Sequence, residues 1–205
     1  MKSTLLLPLL LTLPLCATSI NFDDQATSSG AIALSNQYAS SGVLFNDVEV
    51  AQNFKFNIIP PSSPNYASPF WTDLNPGTIS FVDPANSANN ATVDSVSFTL
   101  IGLTTNPTTP GFFSGATVDA LDLLGNVIVG QTIVIPAESV TTANQVLTFT
   151  GNIHALRFTH TDSTTGTLPI DDLTFSGLNP VPEPSAMALM GAGLLLLGLR
   201  RKTRH

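Results

Sequence analysis

Apolar and polar side chains alternate with a period of two residues in the middle of the chain. Val96, Phe98 and Leu100 alternate with serine and threonine, and Leu147 and Phe149 alternate with threonine in the same manner. Successive side chains of a strand point to opposite faces, so this period predicts strands with one buried and one solvated face. Residues 20–178 contain no convincing helical stripe. We therefore expect an all-β domain.

Shorter apolar runs continue through this region, and polar loops separate them. The sequence Leu-Gly-Asn at 124–126 lies between the runs 116–123 and 127–135 and predicts a tight hairpin. Loops rich in Pro, Asn, Ser and Thr are predicted at 60–69, 83–90 and 104–111, and further strands at 43–45, 48–51, 54–58, 78–82, 155–159 and 173–175. Many short strands with few charges predict a two-sheet antiparallel β-sandwich.

The charges are distributed unevenly along the chain. Five of the seven basic residues lie at the two ends, and all fourteen acidic residues lie between Asp23 and Glu183. Residues 20–184 therefore carry a net charge of −12 with histidine neutral. Such a domain repels phosphates, which argues against a nucleic-acid partner, and it favours hard cations such as Ca²⁺.

The N-terminal residues 1–19 have the composition of a secretory signal peptide. Lys2 precedes a short apolar run interrupted by two prolines, and small residues at 17–19 place the expected cleavage before Ile20. A lipoprotein is the alternative, but Leu15 precedes Cys16 where a lipid-attachment site needs a small residue. Cys16 is the one cysteine, so the processed domain, expected at 20–178, has no disulfide and no thiolate chemistry.

Residues 179–205 form a tail with three parts in order. Val181, Pro182, Glu183, Pro184 and Ser185 precede an uncharged run that extends to residue 199, and a basic end follows at 200–205. As a helix, the fifteen residues 185–199 would reach about 22 Å, against a hydrocarbon core of about 30 Å. This length predicts a transmembrane helix that is short for a permanent anchor, with the basic end in the cytoplasm.

This tail resembles the sorting signal of the PEP-CTERM proteins of bacterial envelopes. The resemblance covers about the last twenty-five residues and consists of the Val-Pro-Glu-Pro-Ser motif, the glycine-bearing apolar run and the basic end. It implies recognition by an exosortase-type membrane enzyme in a Gram-negative bacterium that makes exopolysaccharide. The expected route is transient residence in the inner membrane, then the cell surface or extracellular matrix.

A second resemblance concerns the domain itself. The opening Ile-Asn-Phe-Asp-Asp at 20–24, the segment 38–45, the hairpin at 124–126 and the closing Ile-Asp-Asp-Leu-Thr-Phe at 170–175 are similar to jelly-roll domains of the carbohydrate-binding type. The resemblance implies a jelly-roll-like sandwich and leaves its activity open.

Four carboxylates are candidate ligands for a structural Ca²⁺. If Leu173 faces the core, Asp171 points the same way, and an inward carboxylate needs a partner. Terminal strands of jelly rolls often lie side by side, so Asp24 with Asp171, or Asp23 with Asp172, would supply oxygen ligands. The alternative is that these carboxylates lie at strand ends and accept hydrogen bonds from loop N–H groups.

Aromatic residues in the proline-rich stretch 60–76 are candidates for stacking on sugar rings. They are Tyr66, Phe70 and Trp71, and the alternative for Trp71 is burial in the end of the core. No nucleophile elbow, zinc-protease motif or phosphate-binding glycine loop occurs in the sequence. We therefore expect a non-enzymatic module that interacts with polysaccharide or matrix, with a ligand-free structural component or an exported polysaccharide hydrolase as alternatives.

Overall fold

The computed structural model describes residues 17–27, 30–52, 60–62, 64–69, 75–101, 115–134, 144–160 and 168–182. These residues form thirteen strands and one short 3-10 helix at Ala39–Ser41. The strands are β1 (Thr18–Ile20), β2 (Ile32–Leu34), β3 (Val43–Asn46), β4 (Val48–Gln52), β5 (Asn65–Pro69), β6 (Gly77–Asp83), β7 (Asn86–Leu100), β8 (Gly115–Leu121), β9 (Val127–Val134), β10 (Gln145–Ile153), β11 (Ala155–His160), β12 (Ile170–Ser176) and β13 (Asn179–Pro180).

The strands are arranged in two antiparallel sheets that share one hydrogen-bonded network. The first sheet has the order β2-β4-β5-β12-β7-β10, with β1 also paired to β12. The second sheet has the order β3-β6-β11-β8-β9. The hairpin between β6 and the start of β7 connects them. β7 is the longest strand, so its first half pairs with β6 and its second half lies between β12 and β10.

Aromatic side chains from both sheets meet in the core. The ring centroids of Phe98 on β7 and Phe158 on β11 are 5.7 Å apart, and those of Phe81 on β6 and Phe175 on β12 are 5.2 Å apart. All four rings are at most 2% exposed. Each contact joins one sheet to the other, so the predicted two-sheet antiparallel sandwich is confirmed.

The alternation that predicted strands is reproduced in their burial. Val96 and Phe98 of β7 are buried, as are Leu147 and Phe149 of β10 opposite them. The predicted hairpin at 124–126 connects β8 to β9, and Gly125 adopts a left-handed φ of 82°.

Two predicted loops are strands over part of their length. The stretch 60–69 contains β5, which is buried throughout and pairs with β4 and β12. The stretch 83–90 contains the first residues of β7, which are mostly exposed and therefore show no alternation. Their strand conformation comes from pairing with β6. The predicted strand at 54–58 and the predicted loop at 104–111 lie outside the described residues.

β1 bears on the predicted signal cleavage. Its three residues pair with Phe175, Thr174 and Leu173 of β12, as expected for neighbouring terminal strands. A cut before Ile20 would remove Thr18 and Ser19 from this pairing. The rest of the predicted signal peptide and the predicted span 185–199 lie outside the described residues, and in the described part no helix has the length and apolarity needed to cross a bilayer.

Candidate functional site

The buried carboxylate of Asp171 lies at the start of β12. Asp171 is fully buried, but it does not share a face with Leu173 and Phe175 as predicted. Asp171 pairs with Thr99 of β7 whereas Phe175 pairs with Val96, and Thr99 and Val96 point to opposite faces of β7. Its oxygens accept hydrogen bonds from the Ser62 backbone N–H at 2.9 Å, the Ser62 hydroxyl at 2.8 Å and the Asp172 N–H at 2.8 Å. Burial raises the pKa of Asp171 to about 6, although these hydrogen bonds favour the ionised form. The carboxylate thus holds the segment around Ser62 against β12.

The backbone beside Asp171 departs from regular strand geometry. Asp172 has a φ of 51°, and the register between β12 and β7 shifts between Asp171 and Thr174. Phe22, in the segment that follows β1, also has a positive φ, of 63°. Left-handed conformations of such residues persist only where the surrounding structure holds them. Hydrogen bonds from Asn65 supply part of that support.

Asp23 and Asn65 tie the N-terminal segment to β5. The Asp23 carboxylate accepts a hydrogen bond from the Asn65 N–H at 3.0 Å. The buried Asn65 side chain donates to the backbone oxygens of Phe22 and Gln25, both at 2.9 Å, and accepts from the Thr27 hydroxyl at 2.8 Å. The amide is therefore satisfied on both sides, as a buried polar group requires.

The four predicted calcium ligands are divided between two places. Asp24 is exposed and accepts from the hydroxyl of Tyr38, whose pKa is raised chiefly by burial, whereas Asp23 and Asp171 both bind residues of the segment 62–65. Asp172 adjoins Asp171 and is partly exposed. Backbone N–H groups thus donate to Asp171 and Asp23, as in the alternative, whereas Asp24 accepts from side chains. In the described ranges no three acidic, histidine or cysteine side chains form a group able to hold a metal; calcium binding stays a prediction.

Of the three predicted sugar-stacking residues, the structure describes Tyr66. It lies in β5 and is 1% exposed, and this burial raises the pKa of its hydroxyl to about 12. A ring in the core cannot stack on a sugar, so the proposed role of Tyr66 is corrected. Phe70 and Trp71 lie outside the described residues, and their role stays a prediction.

A row of polar positions crosses the exposed face of the second sheet. Asn46 on β3 pairs with Thr78 on β6, Thr78 with Arg157 on β11, Arg157 with Asp119 on β8, and Asp119 with Gly130 on β9. Directly opposed residues of antiparallel strands share a face. The neighbouring positions Ile79, Leu156 and Val118 are buried, so these five positions, here named the polar row, lie on the outer face.

An ion pair lies near the middle of the polar row. An Arg157 guanidinium nitrogen donates to the Asp119 carboxylate at 2.7 Å, with the two side chains 38% and 15% exposed. Sequence reasoning missed this pair because residues 38 positions apart become neighbours only through the register of β8 and β11. The one signal in the sequence was that each is a charged residue among alternating apolar positions of a predicted strand.

The sandwich leads directly into the sorting tail. β13 pairs with Thr92 and Ala91 of β7, and the Val181 N–H donates to the Asn90 carbonyl at 2.8 Å. Val181 and Pro182 are described, and Glu183, Pro184 and Ser185 lie outside the described residues.

Several solved structures have a similar arrangement over most of the chain. The K2 cleaved adhesin domain of Lys-gingipain is 12% identical, with a TM-score of 0.46 over 78% of this chain and 99% of that chain. A family 35 carbohydrate-binding module from Clostridium thermocellum is 15% identical, with a TM-score of 0.31 over 72% of this chain and 98% of that one. The enzymatically active domain of tailspike protein 4 of bacteriophage CBA120 is 12% identical, with a TM-score of 0.35 over 73% of this chain and 21% of that chain.

The sequence comparisons concern the tail. No curated protein matches the chain. A family model described as the PEP-CTERM protein-sorting motif matches residues 180–202, which include the Val-Pro-Glu-Pro-Ser motif, the whole uncharged run to residue 199 and the first three residues of the basic end. The chain therefore carries the sorting signal of an exported protein that an exosortase processes.

Proposed function

We propose that this chain is a non-enzymatic protein of the bacterial envelope or extracellular matrix whose β-sandwich binds polysaccharide. The observation that carries the proposal is the sorting motif, which begins at Pro180, the last residue of β13. The sandwich and its sorting signal are thus continuous in sequence. The resemblance of the tail to PEP-CTERM signals implies a bacterium that makes exopolysaccharide. Export by this route would bring the sandwich into contact with the exopolysaccharide.

The expected course of export follows from the tail. The uncharged run 185–199 enters the inner membrane with the basic end in the cytoplasm, and the exosortase separates the sandwich from the tail. The signal peptide at 1–19 starts the export. The mature protein is then held at the surface or in the matrix by what its sandwich contacts.

A structural component without a discrete ligand is the second candidate, and strand β9 favours it. Val127, Ile128 and Val129 are 50%, 42% and 37% exposed. Among the described strands, β9 pairs with β8 alone. An exposed apolar edge strand is a surface on which other chains pack.

Affinity electrophoresis of the secreted protein through gels containing the producing organism's own polysaccharide tests the proposal. We expect retardation that increases with polymer concentration, and a Trp71→Ala variant shows whether the predicted aromatic residue contributes. Mobility that does not depend on polymer at any concentration would favour the structural component. Release of new reducing ends from the polymer would identify a hydrolase and refute the non-enzymatic proposal.

A further inference from the structure

We infer that the polar row on the second sheet is the binding surface for a neutral polysaccharide. This inference rests on the proposed function and adds the site and the chemical class of the ligand. The register aligns Asn46, Thr78, Arg157, Asp119 and Gly130 across five strands. With neighbouring strands about 4.8 Å apart, the row is about 19 Å long. It is therefore an extended surface, suited to a polymer segment more than to a single sugar.

The row offers both hydrogen-bond donors and acceptors to sugar hydroxyls. The Arg157 guanidinium has five N–H donors, of which the Asp119 carboxylate takes one at 2.7 Å. The carboxylate has further acceptor positions, and the hydroxyl of Thr78 can both donate and accept. A sugar diol also donates and accepts, so the pair of charged groups can bind adjacent hydroxyls at once.

The ion pair also prepares the site for binding. Arginine and aspartate side chains that already hold each other lose less rotamer freedom when a ligand arrives. On one flank of the row lies a second transverse set of hydroxyls, on Thr159, Thr117 and Thr132, which are paired in the same register. These threonines are exposed or partly exposed and extend the polar surface.

The charge of the domain selects an uncharged polymer. Residues 20–184 carry a net charge of −12, which repels uronate-rich or sulfated chains. Arg157 is one of two basic residues in that range, and Asp119 already compensates its charge. A polyanion therefore gains no net cationic partner in the row, whereas a neutral polymer meets no such repulsion.

Gly130 keeps the carboxylate of Asp119 uncovered. A Cβ at position 130 would lie 2.8 Å from the Asp119 Oδ1 atom, so any side chain there displaces the carboxylate. Gly130 lies in the strand β9 and its φ is not positive, so the backbone does not require glycine. A valine at this position favours the strand while it covers the site.

The test is binding of the full-length chain in mild detergent to two immobilised polymers. One is the neutral fraction of the producing organism's own polysaccharide, and the other is alginate as an acidic comparison. The variants are Arg157→Gln, Gly130→Val and Thr78→Ala, and Thr148→Ala is the matched control, an exposed threonine on β10 of the other sheet. Thermal melts show which variants keep the fold, and Gly130→Val removes no polar group.

We expect the wild-type chain to bind the neutral fraction more tightly than alginate. Arg157→Gln and Gly130→Val should weaken binding about tenfold or more, since hydrogen bonds to charged groups are lost or blocked. Thr148→Ala should leave binding within about twofold. Equal binding by wild type and all folded variants would overturn the polar row and leave the proposed function standing. Tighter binding to alginate would overturn the neutral class, and binding to neither polymer would overturn both the inference and the proposed function.

Discussion

Asp171 makes the stability of the sandwich depend on pH in a way that one substitution reveals. Burial raises the pKa of this carboxyl from its ordinary value of 3.8 to about 6 in the folded protein. One pKa unit corresponds to about 1.4 kcal/mol, so the difference sets an upper limit of about 3 kcal/mol. Relaxation of the structure around an ionised group reduces the effect, and we expect about 1 to 2 kcal/mol.

The direction in which stability changes with pH follows from the number of protons bound in the folded and unfolded states. Between pH 3.8 and 6 the folded protein holds the Asp171 proton more tightly than the unfolded chain does. The free energy of unfolding that this group contributes is therefore fully present below pH 3.8 and is lost as the pH rises through 6. The carboxylate is thus a cost to folding at neutral pH, in spite of the hydrogen bonds from Ser62.

Urea unfolding of the wild-type protein and the Asp171→Asn variant between pH 4.5 and 7.5 measures the effect. EDTA is included so that no cation stabilises the ionised form. The variant is less stable at every pH, because its amide places an N–H group opposite the N–H groups of Ser62 and Asp172. The wild-type protein should gain about 1 to 2 kcal/mol relative to the variant from pH 7.5 to 4.5. All other ionisable groups are the same in both proteins, so their contributions cancel in the difference. A difference that stays constant with pH, or that shrinks as the pH falls, would refute the reasoning.

Three further predictions concern the core, the hairpin and calcium. Phe98→Ala removes a ring that contacts both sheets and is 1% exposed; urea unfolding should show a loss of about 3 to 5 kcal/mol, and a loss below 1 kcal/mol would contradict the sandwich core. Gly125→Ala forces alanine into a φ of 82° where no atom lies within 4 Å of the new Cβ, so it should cost about 1 to 2 kcal/mol from the backbone alone; no change in the unfolding midpoint would argue against this turn. If the carboxylates of Asp23 and Asp171 bind calcium, Ca²⁺ should raise the melting temperature of the wild-type protein and have a smaller effect on the Asp23→Asn variant. A melting temperature that neither calcium nor a chelator changes would eliminate the metal.

The parts of the fold that sequence reasoning found are those with one buried and one solvated face. The alternation around Phe98 and Phe149 identified β7 and β10, and the Leu-Gly-Asn turn identified the hairpin of β8 and β9. In each case the local pattern and the tertiary environment agree. Asp171 is buried, but parity with Phe175 did not identify its face, because the register shift between β12 and β7 lies between the two residues.

The strand β5 was missed because its environment reverses the usual pattern. All five of its residues are buried, yet they include asparagine, serine and proline, which favour loops. Asn65 is tolerated there because Phe22, Gln25 and Thr27 satisfy its amide. The local sequence around Asn65 does not indicate these distant hydrogen-bond partners.

The candidate site was missed for a related reason. A sequence shows which side chains share a strand face but not which strands become neighbours. Arg157 and Asp119 meet because β11 pairs with β8, and Gly130 completes the row through a further register. Tyr66, which was predicted to stack on a sugar because it is aromatic, lies in the core.

The intact mass of the protein recovered from the surface or medium of its own organism tests whether the tail is removed during export. The PEP-CTERM signal at residues 180–202 predicts a form that lacks both the signal peptide at 1–19 and the tail from the apolar run onward, including the basic end. The same mass should shift to a longer form when the exosortase is deleted. A surface or secreted protein that retains the basic end at 200–205 would contradict sorting by cleavage and leave a plain membrane anchor.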